Sequence, residues 1–152
     1  MGNPLYSDET GKMCFNPAKN WQLSTGGTYN WYGDRKVLIK PPLTNTNGSF
    51  MYTIDMVGIS DYSNNPMELP VVAKLETGTA NDYFIGFNRA TGANSQNDEA
   101  DNEVVIVKSG ANGEAYSQSY LMAHLIQHES FTIDNFGDST QAVIITAKKI
   151  DF

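Results

Sequence analysis

The sequence predicts a mainly β protein: an antiparallel β-sandwich over residues 35–152, preceded by an irregular arm with one short helix. Three observations predict it. Short runs of β-branched and aromatic residues recur along the chain. Clusters of Gly, Pro, Asn, Asp and Ser separate them, as in sandwiches and barrels rather than parallel sheets. A hydrophobic content of 40% with 18% charged residues over 152 positions suits one folded core, not a disordered chain.

The arm runs from Met1 to Tyr32 and is rich in Gly, Pro, Ser and Asn. Within it Pro17 to Leu23 reads as a short helix, with Asn16 as N-cap and Pro17 at the first helical position. Trp21 and Leu23 then need a surface to pack on. Val37, Leu38 and Ile39 form the first strand, stopped by Pro41 and Pro42. Phe50 to Ile59 places β-formers on alternate sites (Phe50, Tyr52, Ile54, Met56), which predicts a half-buried strand. A turn at Asp61 to Pro66 leads to strands at Pro70 to Leu75 and Tyr83 to Asn88. A polar loop, Arg89 to Asn102, precedes a strand at Glu103 to Lys108. Beyond the SGANG turn at 109–113, Tyr116 to Gln127 fits either a short helix or a strand buried on both faces. Phe131 to Ile133 and Ala142 to Lys148 complete the pattern.

Composition also narrows function. The formal charge is −7, and only ten residues are Lys or Arg. They are scattered, which argues against nucleic-acid binding, since phosphate contacts need clustered cations. No stretch approaches the length of a bilayer span. Gly2 to Gly11 contains Pro, Asp and Glu without an apolar core, so it does not read as a signal peptide. Tyr6 stands where myristoylation calls for Ser or Thr. As written, the chain is expected in the cytosol. One cysteine builds no internal disulfide framework. Cys14 reads as a small buried residue, or as one half of a bond to a cysteine outside this sequence.

Three long strings carry a resemblance. Met1 to Leu23 reads MGNPLYSDETGKMCFNPAKNWQL, Asp82 to Val107 reads DYFIGFNRATGANSQNDEADNEVVIV, and Tyr116 to Phe136 reads YSQSYLMAHLIQHESFTIDNF. In this order they resemble the gametolysin family of secreted zinc metallopeptidases of the algal and diatom type. In that family an MG-containing turn follows the zinc-binding helix, and a segment close to MCFN-AKNWQLGW follows the turn. The resemblance implies that Met1 occupies this turn, as an apolar floor beneath zinc rather than a ligand. It makes residues 1–34 the end of a catalytic domain and 35–152 an accessory β-sandwich domain. It also favours the strand for Tyr116 to Gln127. One departure stands out: STGGTYN separates Leu23 from Trp31, where the family runs from WQLG into WY. This reads as an insertion or a wrongly translated splice junction.

The family acts on extracellular matrix or cell-wall proteins with zinc as cofactor. Here the zinc helix would precede Met1. The chain is therefore expected to be inactive alone, to bind no zinc by itself, and to have a catalytic domain as its missing partner, without which Trp21 and Leu23 are expected to lack their packing surface. The alternative is a free-standing β-sandwich module that binds calcium or glycan without catalysis.

Four groups of residues are candidates for chemistry. His124 and His128 have the spacing of the histidines in HExxH, but Leu125 stands where the general-base Glu belongs. On a helix the two rings share a face; on a strand they lie about 13 Å apart. Surface or partly buried histidines are the plainer reading. Asp98, Glu99, Asp101 and Glu103 form an oxygen-rich loop that suits calcium, though the mid-loop Gly of an EF-hand is absent. Trp21, Trp31 and Tyr32, with Tyr29 beside them, are candidates for stacking on glycan, against an ordinary packing role. Asn47, in Asn47-Gly48-Ser49, is a glycosylation acceptor if the parent enters the secretory path. No nucleophile elbow or phosphate-cradling loop occurs.

Overall fold

The computed structural model describes residues 14–23, 35–42, 50–95, 99–110 and 117–151. One α-helix and seven strands, besides short 3-10 turns, are assigned in them: α1 Pro17–Leu23, β1 Lys36–Ile39, β2 Val72–Leu75, β3 Asn81–Asn88, β4 Glu103–Gly110, β5 Tyr120–Leu125, β6 Ser130–Ile133 and β7 Val143–Thr146. A five-stranded sheet has the order β1-β2-β3-β4-β5, and β6 and β7 form a second, two-stranded sheet. The protein is mainly β, as its sequence predicts.

Strand alternation sorts the side chains onto two faces. One face carries Ile39, Ala73, Leu75, Tyr83, Ile106 and Leu125, and packs on Ile133, Phe136 and Ala147 of the β6–β7 unit. Phe131, Val143 and Ile145 add the inner side of that second layer. The other face carries Val72, Phe84, Val105 and Val107, and Ala18 and Trp21 of α1 cover it. Both faces are thus sealed, which explains why β2 is buried along its whole length.

Helix α1 begins as its sequence dictates. Asn16 Oδ1 accepts a hydrogen bond from the N–H of Lys19 at 3.1 Å, the N-cap contact expected of Asn before Pro17. Asn16 Nδ2 also donates to Ser119 Oγ at 2.9 Å, which ties the helix start to β5. The helix sits so close to β3 that a Cβ on Gly86 would lie 2.8 Å from Pro17 Cγ. Replacing Asn16 by Ala is expected to cost about 1 kcal/mol from the cap alone. Urea denaturation measures it, and an unchanged midpoint would argue against the cap.

One ion pair lies inside the α1 face. Lys74 Nζ is 2.8 Å from Asp82 Oδ2, with both side chains at most 4% exposed. Asp82 Oδ1 accepts from the Thr77 N–H at 2.8 Å and from its hydroxyl at 3.2 Å. The carboxylate therefore organises the turn between β2 and β3.

The structure corrects four local expectations. First, β1 pairs β2 in parallel, with Lys36 opposite Val72; the remaining pairs are antiparallel. The long connection from 40 to 71 allows this crossover. Second, Phe50 to Ile59 forms no strand and makes one bridge, Gly58 to Phe87. Ile54 and Met56 pack on one core while Val57 and Ile59 pack on the other, so the segment changes faces instead of running along one. Third, the strand within Tyr116 to Gln127 is an edge strand, largely exposed rather than buried on both faces. Fourth, Trp21 does not lack a surface: it is 6% exposed, against β2, β3 and β4. The helix packs on the sheet although it precedes the 34/35 boundary. No helix among the described residues is long and apolar enough to cross a membrane.

Candidate functional site

The α1 face is not filled to its edge. Beside the start of α1 lies a pocket of about 190 Å³. Val71, Val105 and Val107 give it apolar walls from the sheet, and Leu121 and Ser119 bound it on the β5 side. Phe15, Asn16 and Asn20 line it from the helix side, and Asn88 and Glu99 also line it.

Asparagines hold this site together. Asn94 is 1% exposed. Its Nδ2 donates to Asn88 Oδ1 at 2.7 Å and to the Arg89 carbonyl at 3.0 Å, while its Oδ1 accepts from the Cys14 N–H at 3.2 Å. Asn88 Nδ2 donates to the carbonyls of Glu99 and Ala100 at 2.8 and 3.0 Å. Asn102 Oδ1 accepts from the Ala90 N–H at 3.0 Å. Ala100 and Asn102 both have positive φ, a conformation that Asn tolerates better than most residues. The loop 89–102 is thus stapled to the segment before α1. Asn20, 3% exposed, donates to the Phe15 carbonyl at 2.9 Å, and its Oδ1 has no hydrogen-bond partner among the described residues. The sequence reading missed these asparagines. Their density in FNRATGANSQNDEADN was the available signal, masked by the neighbouring acids.

Cys14 also lines the pocket and is a half-buried free thiol. Burial raises its pKa, and the negative charge of Asp61 adds to the shift. Less thiolate is then present at a given pH, so disulfide reagents are expected to attack Cys14 more slowly in the native protein than in urea at pH 8. Equal rates in the two states would contradict this placement.

The other candidates are scattered. Glu103, at the start of β4, pairs through Oε2 with Nδ1 of His124 on β5. His128 sits at φ 72 in the turn beyond β5, its N–H bonded to the Ala147 carbonyl. The two histidines thus answer to different partners. Glu99 and Asp101 are exposed on the loop before β4. Trp21 is buried, its ring centroid 6.1 Å from that of Phe84, with Lys36 Nζ 5.1 Å and Lys74 Nζ 5.9 Å from its centre. It offers no open face to a sugar, which corrects the glycan expectation at this residue. Met1, Trp31, Tyr32, Asn47 and Asp98 lie outside the described residues.

Among the described residues, no group of three or more His, Cys, Asp or Glu stands close enough to hold a metal ion. With His124 engaged by Glu103 and no third donor beside it, they do not fit a hydrolytic zinc. No family model, curated protein or solved structure matches the chain.

Proposed function

We propose that this chain is the non-catalytic β module of a gametolysin-like secreted zinc metallopeptidase acting on extracellular matrix or cell-wall proteins. One observation supports the reading above others. Two of the strings that resemble the family, residues 13–23 and 82–107, meet in one core: Ala18 and Trp21 of the first pack on Phe84, Val105 and Val107 of the second. A helix seated on its sheet through these residues is what a family-wide module needs, and it gives both strings a physical reason to occur together.

In this reading the zinc and the peptide-cleaving groups belong to a catalytic domain encoded upstream, and this module recognises or packs. Sequencing the 5′ end of the transcript tests it. An in-frame HExxH codon run ahead of Met1 is the expected result; an in-frame stop without that motif contradicts it. The purified chain is expected to leave casein intact with added zinc.

The second reading is a free-standing binding module, and the pocket of about 190 Å³ favours it. In that case ligand binding needs no second domain. Calcium at the 98–103 loop belongs to this reading, and a thermal-shift titration with calcium tests it.

A further inference from the structure

Among the described residues, the large sheet ends on an open strand. β4 pairs with one side of β5, and no strand among the described residues pairs with the other. Such an edge presents backbone N–H and C=O groups that a further strand completes. Natural edges are commonly guarded by Lys, Pro or charge. β5 reads YLMAHL, with neither Lys nor Pro. Tyr120, Leu121, Met122 and Ile126 are 56, 47, 38 and 53% exposed. Among the described residues, a bulge opposite the Ile106–Val107 step and the His124–Glu103 pair are the features that guard it.

The pocket described above opens beside this edge. Leu121 is the ladder partner of Val107, and both residues line it. A strand added to β5 would lie about 4.8 Å beyond Leu121. Its side chains on the α1 face would therefore stand at the pocket.

We propose that an extended peptide from another protein adds to the free edge of β5 and sets one large apolar side chain into the pocket beside Leu121. Backbone pairing supplies affinity in such docking, and the side-chain pocket supplies selectivity. The pocket is of the size that holds a single aromatic ring, for which cavities of roughly 150 Å³ suffice. Glu99 on its rim and a net charge of −7 favour peptides with basic flanks. The same charge disfavours a second copy of this chain on the edge. The proposal rests on the module half of the reading above, not on the peptidase parentage.

The test is an NMR titration of the full chain with the capped peptide Lys-Thr-Val-Thr-Phe-Thr-Lys. Counterparts carry Leu or Ala in place of Phe, and two further forms are N-methylated on alternate amides, one in each register. Shifts are expected at the amides of Tyr120 to Leu125, Val105 and Val107. The Phe peptide is expected to bind at least about tenfold tighter than the Ala form. Methylating the amides that face the edge is expected to weaken binding by at least about tenfold. Leu121→Glu, at an exposed site, should retain the fold and lose the peptide. Absence of shifts at β5 with every peptide overturns the proposal, as does full binding by both N-methylated registers. A concentration-dependent dimer through β5 that excludes the peptide also overturns it. An upstream stop codon would leave the titration's outcome intact, and a failed titration would leave the family reading standing.

Discussion

Replacing Lys74 with Met is expected to destabilise the protein by about 3–5 kcal/mol. Methionine matches the length of the lysine stem, so packing changes little. What is lost is the cation 2.8 Å from Asp82, in a site where neither side chain is more than 4% exposed. The carboxylate is left charged and buried, and its two bonds from Thr77 do not replace a counter-charge. The turn between β2 and β3 loosens with it. Adding Asp82→Asn to the Lys74→Met variant removes the stranded charge and keeps an acceptor for the Thr77 N–H. The double variant is expected to recover most of the loss, since exchanging a whole buried pair for neutral groups is far less costly than breaking it. Urea unfolding with unchanged slope measures both. A single variant within about 1 kcal/mol of the parent would show that the pair is solvated, contrary to the burial described here.

The second large effect is expected at Trp21. Trp21→Ala removes a ring that is 6% exposed and lies against Phe84, Val72 and Val105. Truncating a buried aromatic costs about 3–5 kcal/mol. For a chain of this size that lowers Tm by roughly 6–20 °C. A passenger arm would give no such result, because deleting a contact that α1 does not make costs nothing. Trp21→Phe should recover part of the loss, since it refills part of the cavity without the full indole. An unchanged Tm in the Ala variant would detach α1 from the module.

Local chemistry was legible in the sequence, and long-range placement was not. The start of α1 could be read because the cap is a contact between neighbours: Asn16 reaches Lys19, three residues on. β3 and β4 could be read because runs such as YFIGF and VVIV have little alternative once both faces are covered. The parallel pairing of β1 with β2 depends on where residue 72 meets residue 36, and composition carries no trace of that. Alternation in Phe50 to Met56 suggested a strand, yet alternation does not tell a segment that follows one face from a segment that crosses between two cores. Tyr120 to Leu125 is apolar enough to fit a short helix or an interior strand. Its place at the end of the sheet is a fact of topology.

The candidate site shows the same division. Sequence alone does not distinguish a stacking ring from a buried one at Trp21, because its cover, Phe84, lies far along the chain. The pocket escaped notice because Phe15, Val107 and Leu121 come from three distant segments. The acidic residues were prominent in sequence, while the asparagines that fold their loop were not. An amide that bridges two backbones looks like any other polar loop residue until the partners are known.

The central claim is that residues 14–23 and the strands of the large sheet form one cooperative unit, with α1 sealing one of its two cores. Native-state hydrogen exchange on the full chain tests it most directly. The amides of Asn20 to Leu23 are expected to open with free energies within about 1 kcal/mol of those of Phe84 and Ile106, as members of one cooperative unit. Exchange of those helix amides at unprotected rates, with β3 and β4 still protected, would contradict the account.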